Sequence, residues 1–185
     1  MSQIVYLNLD SPLGPMIAGA SEVGICFLEW HDRGGVERIL QRVEKRYKVP
    51  VVPGTNPHLA LLRSELTEYF SGDRREFTVP LHIAGTSFEQ RDWQELLAIP
   101  YGRTRSYGEM ATLLNVPGGA RAVGRANGAN YIGIVIPCHR VIESTGKLRG
   151  YGGGLWRKQW LLDLERGVTP QIQPSQQALS LSSGK

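Results

Sequence analysis

A thiol, an imidazole and a guanidinium stand side by side at Cys138-His139-Arg140, directly after Pro137 and an apolar, β-branched run from Tyr131 to Ile136. A free thiol titrates near pH ~8.5 and is a weak nucleophile at neutral pH, so an adjacent base and cation are what a reactive cysteine requires. The triplet fits nucleophilic chemistry and a buried structural thiol about equally well. In an extended chain successive side chains point to opposite sides, so His139 reaches Cys138 only through a backbone bend or a water. A carboxylate should orient the imidazole, and Glu165, closing the helical stretch Trp160-Leu161-Leu162-Asp163-Leu164, is one of few candidates. Spacing alone does not select it. The other cysteine, Cys26, sits in an apolar strand with no nearby base and reads as a buried structural thiol. With no CxxC pair and no clustered Cys/His spacing, neither a disulfide framework nor a structural zinc site is indicated.

The elements that must position these residues fall into two groups. Up to residue 30, short apolar and polar runs (Ile4-Val5-Tyr6-Leu7, Gly24-Ile25-Cys26-Phe27-Leu28) alternate with turn residues such as Ser11-Pro12-Leu13-Gly14-Pro15, which predicts a small antiparallel sheet. Helical spacing follows from Val36 to Tyr47 and from Pro57 to Phe70, the second closed by Ser71-Gly72-Asp73. Thr78 to His82 offers a further short strand, and Gly85-Thr86 marks a boundary. An α/β domain over residues 1–85 is expected. The second half opens on Ser87 and Gln90 in capping-box spacing ahead of Trp93, Leu96 and Leu97, and that helix stops at Ile99-Pro100. Tyr107 to Leu114, the turn Asn115-Val116-Pro117-Gly118, and Ala120 to Asn127 then read as helix, tight turn and Arg-bearing helix. An ordinary helical hairpin fits that signal equally well. Tyr131 to Ile136 reads as a buried strand ended by Pro137. Beyond Gly167 the Ser-, Gln- and Pro-rich tail, residues 168–185, is expected to be disordered.

Hydrophobic content of 41% and charged content of 21% exclude a fibrous or largely disordered chain. No apolar stretch approaches a membrane span and no secretory leader is evident, so a cytoplasmic protein with no membrane partner is expected. The net charge is +4, but residues 118–160 hold seven basic side chains (Arg121, Arg125, Arg140, Lys147, Arg149, Arg157, Lys158) against one acid, Glu143. A local basic surface of this kind is the footprint of phosphate binding, although charge runs are more often merely solvated.

Ile136-Pro137-Cys138-His139-Arg140-Val141 resembles the active-site signature of the 6-O-alkylguanine-DNA alkyltransferases, also called methylated-DNA–protein-cysteine methyltransferases. The likeness extends through Tyr101-Gly102, Ser106-Tyr107-Gly108, Gly119 to Gly124, Ala126-Asn127-Gly128, Gly146-Lys147-Leu148 and Gly150 to Gly154, covering residues 87–167 almost continuously. It is looser in the first half, at Ser11 to Pro15 and Glu68 to Gly72. Tyr131 stands where proline is common in that family and Gly133 where some members also carry proline, which bears on pocket shape and not on reaction type.

The resemblance implies a ribonuclease-H-like α/β domain followed, over residues 86–167, by a winged helix-turn-helix domain carrying the active cysteine. It implies that Cys138 accepts the alkyl group, that His139 takes its proton through a water, that Glu165 orients His139 and that Asn130 braces the site. Tyr107 would assist extrusion of the nucleotide and donate to guanine N3, while Arg121 would fill the vacated stack. The glycine-rich loop at Tyr151, Gly152 and Gly153 would approach the base, with Gly152 N–H on the 6-oxygen and the Cys138 and Val141 carbonyls on the exocyclic amine. The implied partner is double-stranded DNA containing alkylated guanine, and 4-O-alkylthymine is a second implied substrate. No cofactor is implied, each molecule would act once, and no dimer signal is seen. Two rival readings are a turnover cysteine hydrolase using Cys138, His139 and Glu165, and a non-catalytic lesion-binding or regulatory protein on the same fold. Alkyltransferase-like proteins of the latter kind lack the acceptor cysteine, which this chain has.

Overall fold

The computed structural model describes residues 3–170, so the irregular tail expected after Gly167 falls, from residue 171 on, outside the described residues. Those residues form two compact units, 3–84 and 85–170. Among them no helix is long and apolar enough to cross a membrane.

In the first unit, β1 (Ile4–Leu9), β2 (Met16–Ala20), β3 (Ile25–Trp30) and β4 (Val51–Pro53) make one sheet in the order β3-β2-β1-β4. β1, β2 and β3 pair antiparallel, but β4 pairs parallel to β1, so the sheet is mixed and not purely antiparallel as expected. A three-residue strand between two helices carries no periodicity from which to read it. α1 (Val36–Tyr47) buries Ile39, Val43 and Tyr47 at helical spacing and packs on β3 and β4. α2 (Pro57–Ser71) starts at an Asn56 cap whose side chain accepts from Leu59 N, has Pro57 in its first turn, and packs on β1 and β2.

The strand expected at Thr78 to His82 amounts to a single bridge between Ile25 and Leu81. The reason is local: the buried Glu65 carboxylate takes the Thr78 and Val79 N–H groups, and Pro80 has none to give. Cys26 is wholly buried, as expected, but it does have a base nearby, because the His82 Nδ1 lies 3.8 Å from its sulfur and 2.9 Å from Ser21 Oγ. That base comes from a segment 56 residues away, beyond the reach of a local reading.

In the second unit α3 (Ser87–Leu97) is capped by Thr86 and Glu89, one residue earlier than the Ser87/Gln90 pair anticipated. Trp93 is buried on it and donates its indole N–H to Ala126 O at 3.0 Å, tying α3 to α5 (Ala120–Gly128). α4 (Tyr107–Leu113) meets α5 through a turn in which Asn115 and Gly118 both take positive φ, so the helix-turn-helix is formed. Two short parallel strands, β5 (Arg105–Ser106) and β6 (Val141–Ile142), join the start of α4 to the segment just after Cys138. α6 (Leu155–Glu165) closes the unit.

Asp92 on α3 is fully buried, and neither carboxyl oxygen finds a hydrogen-bond partner among the described residues. Burial, with the Glu95 charge adding to it, pushes its pKa up to about 7. A raised folded pKa means that the fold prefers the protonated acid, so stability should fall as pH rises from the free-carboxyl range near ~4 through 7. Urea unfolding at pH 5 and pH 8 should show a loss on the order of 2 kcal/mol from this site, absent in Asp92→Asn. Equal pH slopes for parent and variant would show that Asp92 titrates normally.

Candidate active site

Tyr131 to Ile136 is not a strand. Every residue from Tyr131 to Arg140 is buried, but the backbone runs through turns, with Val135 N bonded to Gly133 O at 2.8 Å and Ile136 N to Ile132 O at 3.0 Å. Ile134 sits at φ 69°, a conformation that costs a β-branched residue roughly 1–3 kcal/mol and persists only where packing over-determines it. Asn130 organises the segment: its Oδ1 accepts from Ile132 N at 3.0 Å, and its Nδ2 donates to Ile136 O at 2.8 Å and lies 3.2 Å from Cys138 Sγ. An amide side chain therefore replaces the ladder partners a strand would have needed. Cys138 opens a single 3₁₀ turn, Cys138–Arg140, which supplies the bend that an extended chain lacked.

Behind the thiol lies a buried relay. His139 is wholly buried, with Nε2 2.7 Å from Glu165 Oε1, and Arg140 grips the same carboxylate through Nε at 2.8 Å and Nη2 at 3.0 Å. Gly102 N donates to Glu165 Oε2 at 3.1 Å. Only glycine suits that position, because its φ is 74° and a Cβ would come within 2.8 Å of the Glu165 carbonyl. Burial pushes the Glu165 carboxyl up, but His139 and Arg140 together outweigh it and hold the group well below the usual carboxylate range. Burial pushes His139 down, helped by the Arg140 and Lys158 charges and opposed by Glu165, so the ring is neutral at physiological pH. An ionised Glu165 accepts the Nε2 proton, and Nδ1, buried and without a partner among the described residues, is left as the basic nitrogen.

Cys138, 8% exposed, opens into a cleft of about 1200 Å³ whose walls include Tyr107, Arg121, Arg125, Arg149, Tyr151 and Gly152. His139, Glu165 and Asn130 lie behind the thiol and do not line it. Val141 and Gly153 are buried and do not line it either: the Val141 carbonyl accepts from Lys158 Nζ at 2.6 Å, and that of Gly153 from Arg157 Nη1 at 2.8 Å. The Tyr107 hydroxyl donates to Arg149 O at 2.7 Å, and burial, with the Cys138 and Glu143 charges adding, pushes its pKa up to about 12. Of the seven basic residues counted between 118 and 160, Arg140, Arg157 and Lys158 are buried, which leaves Arg121, Arg125, Lys147 and Arg149 to form the basic surface. Sequence reasoning named neither Arg140 as an anchor of Glu165 nor Arg125 and Arg149 as walls of the cleft.

A cysteine that opens into a basic cleft on a helix-turn-helix unit, next in sequence to a buried His–Glu pair, has the elements that a DNA-directed thiol requires. Residues 4–83 match the family model of the 6-O-methylguanine DNA methyltransferase ribonuclease-like domain, and residues 87–167 that of its DNA binding domain. The chain belongs to the 6-O-methylguanine DNA methyltransferase family. It is 47% identical over 162 residues to the methylated-DNA–protein-cysteine methyltransferase of Mycobacterium leprae, covering 86% of this chain and 90% of that one. With the protein of that name from Mycobacterium tuberculosis it shares 45% over 170 residues, 90% of this chain and 95% of the relative. A crystal structure of Mycobacterium tuberculosis OGT in complex with DNA superimposes with a TM-score of 0.75 at 40% identity, over 97% of this chain and 99% of that one.

Proposed function

We propose that this protein repairs alkylated DNA by direct reversal, moving the alkyl group from the 6-oxygen of guanine, and from the 4-oxygen of thymine, onto Cys138 once per molecule. The observation that carries the reading is Cys138 lining a basic cleft while the next residue, His139, neutral and held by Glu165, is buried outside it. A lesion atom inside a duplex is out of reach, so the nucleotide must be extruded at a cost of a few kcal/mol, which Arg121 offsets by filling the stack from α5. His139 Nδ1 takes the thiol proton through a bridging water while Glu165 stabilises the imidazolium. The thiolate attacks the alkyl carbon; the S–C bond forms as the C–O bond breaks, and the electron pair leaves on the guanine 6-oxygen beside the Gly152 N–H. Tyr107, turning its hydroxyl from Arg149 O to guanine N3, passes a proton to the departing base and regains one from the His139 imidazolium through solvent, so that neutral guanine, tyrosine and histidine remain. The balance closes with no cofactor or co-reactant. A thioether is a poor leaving group, so the transfer ends there.

In this reading residues 1–85 are the ribonuclease-H-like domain and residues 86–167 the DNA-binding and transferring one, acting as a monomer in the cytoplasm, where thiols stay reduced. The Cys138 and Val141 carbonyls accept from the guanine amine, and the backbone of Tyr151 to Gly153 admits the base.

The test is to incubate the protein with a duplex bearing one 6-O-methylguanine and weigh the intact chain. One added methyl group per molecule, mapped to Cys138 and reaching a plateau at one equivalent of repaired DNA, is expected. Repeated turnover would make it a hydrolase, and tight lesion binding without mass gain would make it a binding protein.

A further inference from the structure

Lys158 is fully buried on α6, yet among the described residues no carboxylate lies within salt-bridge distance of it. A buried, unpaired cation is costly, so what it touches matters. Its Nζ lies 2.6 Å from Val141 O, 2.9 Å from Arg149 O and 3.3 Å from Gly150 O, with the Tyr107 hydroxyl at 3.5 Å. An ammonium has three N–H donors, and three carbonyls from two separate segments take them. The neighbouring Arg157 donates to Gly153 O at 2.8 Å. Two consecutive cations thus hold the glycine-rich loop at residues 149–150 and at 153. Between those anchors lie Tyr151 and Gly152, which line the cleft together with Arg149 and Gly150.

We propose that Lys158 is a positioning residue of the base pocket, its ammonium fastening the Arg149–Gly150 end of the recognition loop to the Val141 carbonyl and so fixing the gap that receives the extruded base. The proposal rests on the assignment of Cys138 as acceptor. Val141 O keeps a second lone pair for the guanine amine, so the clamp and the substrate share that carbonyl. Lys158 is absent from the cleft wall, which makes it a residue that acts through the loop. Burial pushes its pKa down to about 8, with the Cys138 charge acting the other way, and the other groups electrostatically coupled to it or bonded by it are His139, Tyr107 and the Arg149 backbone. Loss of its proton removes one of three donors.

Lys158→Met should slow transfer from a duplex carrying 6-O-methylguanine about 100-fold, the usual cost of a misplaced pocket wall. Its affinity for unmodified duplex, carried by exposed arginines, should stay within about twofold of the parent. Alkylation of Cys138 by iodoacetamide, which needs no base pocket, should fall much less than transfer does, only as far as loss of the Lys158 charge disfavours the thiolate. A parallel fall in the iodoacetamide rate would place Lys158 on the thiol instead of the loop, and an unchanged transfer rate would remove it from the site; either overturns the proposal. Lys158→Gln, whose amide retains two donors, should lie between parent and Met. Should neither variant fold, the parent decides: from pH 7 to 9 its transfer rate should fall relative to its iodoacetamide rate, and a constant ratio overturns the clamp. Failure of the parent to gain any methyl group would instead refute the acceptor assignment, and is read separately by intact mass.

Discussion

Cys138→Ala should take up no methyl group from a 6-O-methylguanine duplex, while binding unmodified duplex with about the affinity of the parent. The two properties separate because they sit on different atoms. Sγ supplies the electron pair for the new bond, and no hydroxyl or amine of comparable nucleophilicity shares the relay behind it. Phosphate attraction is expected from Arg121, Arg125 and Arg149 on the cleft walls, which the substitution leaves in place. Removing one sulfur from a site that touches solvent should cost only about 1 kcal/mol, so the variant folds and the comparison is clean. Cys26→Ala is the control. Its thiol has a base nearby in His82, so proximity alone does not disqualify it. What disqualifies it is access: Cys26 is wholly buried, burial pushes its thiol up, and its sulfur points at Gly24 O. Its variant should transfer at the parent rate. A methyl group recovered anywhere on Cys138→Ala would sink the assignment of the acceptor.

Helices were legible because their signals are local. Val36 to Tyr47 and Pro57 to Ser71 show buried positions three and four apart, and Gly72 at φ 85° ends the second as a glycine after a helix should. The α3 cap was misplaced by one residue because Thr86 and Ser87 are both good caps, and only geometry shows that Glu89 returns to Thr86 N. Tyr131 to Ile136 misled for a different reason. A β-branched, apolar run predicts burial correctly but says nothing of who satisfies its backbone, and here Asn130 does so from one residue upstream. Charge counting failed similarly. Arg140, Arg157 and Lys158 were counted toward a surface, whereas each is buried: Arg140 and Lys158 on a carboxylate and a carbonyl from distant segments, Arg157 on the carbonyl of Gly153. Cys138 stood out by its neighbours, whereas Glu165 was one of few candidate carboxylates and was selected only through resemblance, because a 26-residue separation between His139 and Glu165 has no periodic signature.

Glu165→Gln should lower both the rate of transfer and the stability of the fold, and the two losses have distinct causes. The carboxylate accepts from His139 Nε2, from Arg140 Nε and Nη2, and from Gly102 N. A glutamine keeps one oxygen, so its amide nitrogen must face a donor: either the imidazole or the guanidinium. Arg140 is then buried without an anion, a change that typically costs roughly 3–5 kcal/mol. The sign of its pH dependence follows from the depressed folded pKa of Glu165. Such a group stabilises the fold above the free-carboxyl range near ~4 and loses that contribution as pH falls through its folded value, so parent and variant should differ most near pH 7 and converge toward strong acid. The rate falls separately, because Glu165 raises the basicity of His139 against the burial that lowers it, and the variant ring is a poorer acceptor for the thiol proton. A loss of about 10²–10⁴-fold is the range for general-base assistance. Circular dichroism at 10 °C selects the folded fraction, and unmodified-duplex binding, which involves none of these atoms, should be nearly unchanged. A folded Glu165→Gln protein that transfers at the parent rate would leave Glu165 as the anchor of Arg140 and Gly102 alone, and proton removal from Cys138 would then have to proceed without an oriented imidazole.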